Sequence, residues 1–190
     1  NDPKSLATGA SAPVRLAVIG AGLVGRQHIN AIAAVPCATL AAVADPSPAA
    51  RALAQSHGAA FHDSIDGVLR GDVDGIILAT PNALHRAGAE AAIAAGVPML
   101  VEKPLAGSLS DGEAMVEAAA RAGVALLTGH HRRHNPKIAV AKAAIDAGAI
   151  GRPVAAHATL WLMKPDDYLD VAWRREPGGG PILINAVHEV

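Results

Sequence analysis

Three glycines stand close together directly after an apolar run near the start of the chain. The stretch LAVIGAGLVGRQH covers residues 16–28, and its glycines follow the spacing Gly20-x-Gly22-x-x-Gly25. The run before them, residues 14–19, is typical of a short buried parallel strand. After them, apolar side chains recur three or four positions apart, which predicts a helix. A strand that passes through a glycine loop into a helix restricts the possible folds more than any other feature of this sequence.

Segments typical of strands and of helices alternate along most of the chain. The predicted strands cover residues 14–19, 38–45, a short stretch near 60, 75–79, 97–101 and 124–128. The predicted helices cover residues 24–35, 46–58, 65–69, 83–95, 109–122 and 136–147. We expect Ser110 to cap the helix at 109–122, because Glu113 follows it at the spacing of a capping box. The alternation predicts an α/β protein with a doubly wound parallel sheet.

The alternation stops near residue 151. Residues 153–163 form a longer, strand-like apolar stretch that no helix promptly follows. We therefore expect residues 14–150 to form one domain and residues 151–190 to begin a second domain that is truncated here. The first 13 residues are polar and rich in small side chains, which predicts a disordered tail.

Composition and charge bear on the possible partners. The 190 residues are 51% hydrophobic and 17% charged, as in a globular protein with a substantial core. A formal net charge of −1 does not suggest a nucleic-acid partner, and no apolar run approaches the roughly 20 residues of a membrane span. The single cysteine, Cys37, excludes an internal disulfide framework and favours a reducing compartment. We expect a cytoplasmic protein without a nucleic-acid or membrane partner.

An acidic residue completes the pattern that the glycines begin. Asp45 lies 20 residues after Gly25, at the end of the second predicted strand. In dinucleotide-binding units of this kind, the glycines permit a tight turn, close approach of a pyrophosphate and close packing of helix on strand. The free amides at the helix start favour phosphate, and the acid accepts hydrogen bonds from a ribose. The residues expected to bind such a cofactor are Gly20, Gly22, Leu23, Val24, Gly25 and Asp45. A glycine corner without a ligand is the alternative.

Asp45 also bears on which nicotinamide dinucleotide is bound. A carboxylate at this position repels the 2′-phosphate of NADP, so the sequence favours NAD. Arg51 lies near enough along the chain to keep NADP open as the less favoured choice. His28 falls on the apolar stripe of the first helix, and we interpret it as a packed helix residue rather than a cofactor ligand.

Three further motifs occur together in this chain. They are ATPNALH at 79–85, EKP at 102–104 and GGGPILINAVH at 178–188. Together they resemble the Gfo/Idh/MocA family of NAD(P)-dependent oxidoreductases, over about residues 14–190. The resemblance implies a Rossmann domain, then a second α/β domain with an open sheet that commonly forms homodimers or homotetramers. It also implies reversible oxidation of a secondary alcohol on a sugar, polyol or related small molecule.

The resemblance further assigns residues to the neighbourhood of the cofactor. Those residues are Thr80, Pro81, Asn82, His85, Glu102, His131 and Arg174. From the residues alone, Pro81-Asn82 is also an ordinary helix start, and His85 a surface histidine. The histidine-rich stretch at 130–134 could suggest a metal, but adjacent histidines seldom share one metal, so we expect none.

Catalysis is assigned to Lys103, His188 and Asn185. In many relatives an aspartate and then a histidine follow the glycine triplet, whereas here Ile184 stands in the place of the aspartate. Alcohol oxidation needs a base for the hydroxyl proton, and a histidine titrates in the right range. We expect His188 to be the acid/base, Asn185 to position it, and Lys103 to stabilise negative charge. The alternatives are an ordinary helix-cap histidine and a solvated surface lysine. The resemblance also implies that the Lys103–Pro104 bond is cis.

Two other functions remain open at this stage. One is a redox-neutral enzyme of the same family that cleaves glycosidic bonds with tightly held NAD. The other is a non-catalytic NAD-binding regulatory protein, for which the missing aspartate is the only support.

Overall fold

One parallel sheet organises the part of the chain that the structure describes. This structure is a computed structural model, and it describes residues 12–157, 159, 161–176, 180, 184 and 185. The strands are β1 (Val14–Ile19), β2 (Ala38–Ala44), β3 (Ala60–His62), β4 (Gly75–Leu78), β5 (Met99–Val101) and β6 (Leu126–Thr128). Their order is β3-β2-β1-β4-β5-β6, and each neighbouring pair is parallel. The predicted doubly wound, Rossmann-type sheet is confirmed.

Helices connect the strands at the positions that the periodicity predicts. They are α1 (Leu23–Ala33), α2 (Ala49–Ser56), α3 (Ile65–Leu69), α4 (His85–Ala94), α5 (Leu109–Ala122) and α6 (Pro136–Asp146). The starts of two helices differ from prediction. Helix α2 begins after Pro48, and a short 3-10 turn at Asn82–Leu84 precedes α4.

The core lies on both faces of the sheet, because successive strand residues point to opposite sides. On one face Ile76 and Leu78 pack with Met115 of α5. On the other face Val18 packs with Ile29 of α1, next to the buried alanines of α2. Helices cover both faces, so the strands are apolar without a polar alternation, as the sequence indicates.

The cap of α5 differs from the prediction. The N-cap is Ser108, whose hydroxyl accepts the N–H of Asp111 at 3.2 Å. Ser108 has the extended backbone that a cap needs, whereas Ser110 already lies inside the helix. The prediction was therefore wrong by two residues, since Glu113 directed it to a capping box that the backbone does not form.

The strand-like stretch predicted at 153–163 is not a strand in its described residues. No described segment pairs with it, and a strand requires a hydrogen-bonded neighbour. Its large side chains face solvent, with Val154 at 82% and Trp161 at 89% exposure. Its apolar pattern alone therefore does not make it a strand. Residues 1–11 of the predicted tail lie outside the described residues.

No helix among the described residues is both long enough and apolar enough to cross a lipid bilayer.

Candidate functional site

The carboxyl ends of β1 and β4 lie side by side, where the strand order of the sheet reverses. The chain leaves β1 toward α1 and leaves β4 toward α4, and these helices pack on opposite faces. In open parallel sheets, this divergence opens a crevice in which ligands bind. The glycine loop and the ATPNALH motif border the crevice.

The glycine loop has no room for side chains at its base but is open at its outer side. Gly20 has φ +96°, and a Cβ there would lie 2.6 Å from the carbonyl oxygen of Ala79. A Cβ on Gly25 would lie 1.8 Å from the carbonyl oxygen of Gly20. At Gly22, the N-cap of α1, a Cβ would meet nothing within 4 Å. The loop thus packs on the sheet and leaves free space beside its middle glycine.

Asp45 holds this loop from the adjacent strand end. Its Oδ2 accepts the N–H of Ala21 at 2.7 Å, and its Oδ1 accepts the N–H of Ser47 at 2.8 Å. The two bonds fix the carboxylate beside the glycine loop, where the sequence predicts a ribose-binding acid. Leu23 and Val24, predicted near the cofactor, are exposed at the start of α1, with Leu23 at 71%.

The loop after β4 supplies polar groups on the other side of the crevice. The hydroxyl oxygen of Thr80 is buried and has no hydrogen-bond partner among the described residues. Pro81 is partly buried, and Asn82 is 7% exposed. A buried hydroxyl without a partner costs free energy that a ligand can offset. The open glycine, the fixed carboxylate and this hydroxyl together fit a dinucleotide.

Glu102 joins three elements of the fold at the end of β5. Its Oε1 lies 2.8 Å from Nε2 of His28 on α1, and its Oε2 accepts the N–H of Lys103 at 3.1 Å. A Cβ on Gly129, just after β6, would lie 2.8 Å from the same carboxylate. His28 is partly buried on α1, and its ring also pairs with an acid 74 residues away, a contact that the helical pattern did not reveal.

The pKa of Glu102 reflects these contacts. Burial by itself raises the pKa of the carboxyl group. The hydrogen bond and charge of His28 and the N–H of Lys103 outweigh burial, so the pKa lies below its usual value. Glu102 is thus held as a carboxylate next to Lys103.

Lys103 follows Glu102 and extends toward the later part of the chain. The Lys103–Pro104 peptide bond is cis, as the family resemblance implies. Nζ of Lys103 donates to the carbonyl oxygen of Ile184 at 2.9 Å. Burial lowers the pKa of Lys103; the carboxylate of Glu102 opposes this shift, and the charge of Lys164 adds to it.

Asn185 lies in the same region, next to Ile184. Its Oδ1 accepts a hydrogen bond from Nζ of Lys164 at 2.8 Å. Lys164 could not be placed among the catalytic or cofactor-binding residues from the sequence, because periodicity does not reveal which way its side chain points. The structure thus brings Lys103, Lys164 and Asn185 together. His188 lies outside the described residues.

His85 is fully buried, so the surface alternative is wrong for this residue. Its Nε2 lies 3.0 Å from the carbonyl oxygen of Thr80, and its Nδ1 lies 3.0 Å from that of Pro104 and 3.3 Å from that of Leu105. Burial lowers the pKa of the ring, and the carbonyl contacts only partly oppose this shift. His85 therefore connects the loop after β4 with the turn after Lys103, and its contacts are with backbone rather than with open crevice.

The remaining predicted residues lie farther along the chain. His131 is exposed in a 3-10 turn, His131–His134, after the edge strand β6. Arg174 lies in a second turn and donates to the carbonyl oxygen of Tyr168 at 2.6 Å. Among the residues that the structure describes, no three His, Cys, Asp or Glu side chains are grouped as metal ligands would be.

Comparison with known proteins finds related sequences. A family model described as oxidoreductase family, NAD-binding Rossmann fold, matches residues 14–130. 1,5-Anhydro-D-fructose reductase of Ensifer adhaerens is 44% identical over 121 residues, which cover 62% of this chain and 36% of that protein. The rhizopine catabolism protein MocA of Rhizobium meliloti is 31% identical over 176 residues, covering 92% of this chain and 54% of that protein.

A solved structure extends the similarity past the sheet. The WlbA dehydrogenase of Bordetella pertussis, in complex with NADH and UDP-GlcNAcA, superposes with a TM-score of 0.85 at 30% identity, covering 94% of this chain and 54% of that one. The chain spans about half or less of the length of the curated relatives it matches. Because the family model covers more than half of this chain, the chain belongs to the Gfo/Idh/MocA oxidoreductase family.

Proposed function

We propose that this chain carries the cofactor-binding part of an enzyme that transfers hydride between NAD and a secondary alcohol on a sugar, polyol or related compound. The observation that carries the proposal is the position of Lys103. It follows β5 at the same edge of the sheet as the glycine loop, and its amine reaches residue 184. A half-buried amine beside a dinucleotide crevice can stabilise the negative charge that develops on an alcohol oxygen.

A nicotinamide dinucleotide, when bound, supplies the hydride acceptor or donor. The amides at the start of α1 would face its pyrophosphate, with Gly22 giving the backbone room to approach. Asp45 would accept hydrogen bonds from the adenosine ribose. Thr80 and Asn82 would line the opposite side, where the unpartnered hydroxyl of Thr80 would gain a partner.

The proposal favours NAD over NADP for two reasons. The carboxylate of Asp45 repels a 2′-phosphate, and its two backbone hydrogen bonds hold it in place. Arg51, the nearby cation that could attract such a phosphate, lies over the ring of Phe61 at 4.5 Å. That contact stabilises the guanidinium over the ring of Phe61, and binding a phosphate elsewhere would lose this interaction.

Lys103 is proposed to stabilise the alcohol oxygen as its proton leaves. Its lowered pKa makes the ammonium a better hydrogen-bond donor to a developing alkoxide than an ordinary lysine. We assign the acid/base role to His188 from the sequence motif. Asn185 is assigned as its positioning residue, and its amide oxygen also orients Lys164.

The relatives support the substrate class that we propose. The names of the anhydrofructose reductase and of the WlbA complex with UDP-GlcNAcA point to sugar-like small molecules. We propose a homodimer or homotetramer formed through the sequence that follows the Rossmann domain. We also propose that residues 151–190 begin this second domain, because Lys103 already contacts residue 184.

The experiment that tests the function is turnover by the intact protein with NAD and a panel of polyols and sugars. A net increase in NADH absorbance with one or more of these compounds supports the proposal. His188→Ala should lower kcat by at least about a hundredfold with NADH affinity unchanged. His57→Ala, at the end of α2, is the matched control and should leave both unchanged.

Three results would contradict the proposal. Substrate conversion without net NADH would favour the redox-neutral enzyme. NADH binding without conversion of any member of the panel would favour a regulatory protein. Calorimetry without heat for either oxidised or reduced dinucleotide would exclude both alternatives and the proposal alike.

A further inference from the structure

Two lysines at the site are held by consecutive residues. Nζ of Lys103 donates to the carbonyl oxygen of Ile184 at 2.9 Å, and Nζ of Lys164 donates to Oδ1 of Asn185 at 2.8 Å. Both acceptors are neutral. Because they belong to neighbouring residues, the two ammonium groups lie in one small region rather than on separate surfaces.

A third cation joins this region through an aromatic ring. Nζ of Lys164 lies 4.7 Å from the centroid of the Tyr168 ring, and the guanidinium carbon of Arg174 lies 4.2 Å from the same centroid. Arg174 is also 5.7 Å from the ring centroid of Trp173. Both cations therefore contact the ring of one tyrosine, and Arg174 also donates to the carbonyl oxygen of Tyr168 at 2.6 Å, so both side chains are preorganised.

The positive charge of this cluster is not matched by protein carboxylates in the described part of the chain. None of Lys103, Lys164 and Arg174 forms a salt bridge with a described Asp or Glu. Glu102, next to Lys103, is already paired with His28. Asp166, Asp167, Asp170 and Glu176 lie near Lys164 and Arg174 in the chain, but these described acids are exposed and form no salt bridge with either cation. The electrostatic cost is visible at Lys103, whose pKa is lowered by burial and further by the charge of Lys164, although Glu102 opposes the shift.

The side chain of Asn185 does not neutralise this positive charge, because it is an amide. Asn185 accepts a hydrogen bond but carries no negative charge, so it orients Lys164 without neutralising it. A partly buried group of like charges is stabilised most by an anion that enters the same space. A guanidinium presents a planar fork that matches a carboxylate or phosphate, and an ammonium adds a point charge.

We propose that Lys164 and Arg174 form a substrate subsite for an oxyanion, so that the alcohol presented to Lys103 belongs to an acidic sugar rather than to a neutral polyol. The oxyanion is a carboxylate or a phosphate carried by the substrate itself. The inference rests on the proposed function, because it shares Lys103. It assigns Arg174 to the substrate rather than to the cofactor.

The test compares matched sugars by calorimetry on the intact protein, with and without NADH. Each set contains a hexose, its uronic acid and its 6-phosphate, in the gluco, galacto and manno series. In at least one series we expect an acid to bind about tenfold tighter or more than its neutral hexose. The uronate and phosphate arms show which oxyanion is preferred.

Two variants locate the preference. Lys164→Met and Arg174→Gln should each remove most of the preference for the acid while leaving NADH affinity unchanged. Arg175→Gln is the matched control, since Arg175 is the exposed neighbour of Arg174 and should keep the preference. Thermal unfolding of each variant separates a lost subsite from a lost fold.

The outcomes distinguish this inference from the function on which it rests. Equal binding of acid and hexose, a preference that survives both substitutions, or no binding of any acid overturns the subsite, even where NADH binds and a neutral polyol is oxidised. Absence of NADH binding overturns the proposed function. The titrations without NADH still measure the subsite in that case.

Discussion

Nε2 of His28 lies 2.8 Å from Oε1 of Glu102, and this pair joins the helix that begins at the glycine loop to the turn that carries Lys103. The two side chains are 23% and 14% exposed, so water screens their attraction only in part. The lack of a side chain at Gly129 leaves the space that the carboxylate occupies. The pair thus links the helix of the glycine loop to the turn in which Lys103 lies.

Replacing His28 should destabilise the protein in a pH-dependent manner. His28→Ala leaves Glu102 partly buried without its partner, at a cost of about 1–2 kcal/mol in the free energy of unfolding near neutral pH. Because the pKa of Glu102 is depressed, the stabilisation is complete above its usual value of 4.5 and is lost as pH falls through the folded pKa. Urea unfolding of both proteins across this range checks the prediction.

A surface ion pair provides the control for His28. Lys142 and Asp146 form an exposed pair on α6, with side chains 69% and 60% exposed. Lys142→Ala should leave the urea midpoint almost unchanged, because exposed pairs contribute little. If His28→Ala is as stable as the wild type, the His28–Glu102 pair contributes as little to stability as the exposed pair.

A methyl group added at two glycines of the loop should affect different properties: stability at Gly25 and NADH affinity at Gly22. A Cβ at Gly25 would lie 1.8 Å from backbone, so Gly25→Ala should lower the free energy of unfolding by about 3 kcal/mol or more. At Gly22 a Cβ meets no protein atom within 4 Å, so Gly22→Ala should fold normally. It should nevertheless lower NADH affinity by about tenfold or more, because the methyl group occupies the space of the pyrophosphate.

Thermal unfolding and NADH titration of the two glycine variants together test the crevice. If Gly22→Ala binds NADH as tightly as the wild type, the pyrophosphate does not lie beside this loop. Equal losses of stability in both variants would contradict the packing that the structure gives to Gly25.

The sheet could be predicted from the sequence because its signals are local. Each strand is an apolar run bounded by glycine, proline or a polar residue, and each helix has its own periodicity. The glycine loop and Asp45 could be predicted equally well, because these four residues have a fixed spacing within one strand–helix–strand unit.

The pairing partners within the site could not be predicted in this way. His28 and Glu102 are 74 residues apart, and Lys103 and Ile184 are 81 apart, so only the folded chain brings each pair together. The pattern at 153–163 misled for a related reason. Periodicity reports which side chains are apolar, but a strand also depends on a neighbour that the local sequence does not contain.

His85 should make stability depend on pH in a higher range than Glu102 does. Its pKa is lowered below 6.5 by burial, so the unfolded chain takes up a proton first as pH falls. Stability is then complete above pH 6.5 and declines as pH falls toward the folded pKa. In His85→Gln, which retains hydrogen bonding without titrating, this decline should disappear, while the decline from Glu102 below 4.5 should remain.

Urea midpoints of wild type and His85→Gln, measured at closely spaced pH values, separate the two titrations. A decline between pH 6.5 and 4.5 that persists in His85→Gln would assign it to another group. The contacts of His85 with Thr80 and Pro104 also lead us to expect weaker NADH binding in His85→Ala, with partial recovery in His85→Gln.

The neighbours of Lys103 should shift the pH dependence of turnover in opposite directions. If its ammonium stabilises the alkoxide, kcat/KM falls as pH rises through a pKa that burial places below 10.5. Lys164→Met removes a like charge, so the fall should move to higher pH. Glu102→Gln removes an opposite charge, so the fall should move to lower pH. Lys103→Met should lack this fall at high pH and should lose at least about a hundredfold in kcat.

The pH–rate profiles of the wild type and the three variants test whether Lys103 is the titrating group. NADH affinities show that cofactor binding is retained. Shifts of the same sign in Lys164→Met and Glu102→Gln would mean that the titrating group is not Lys103.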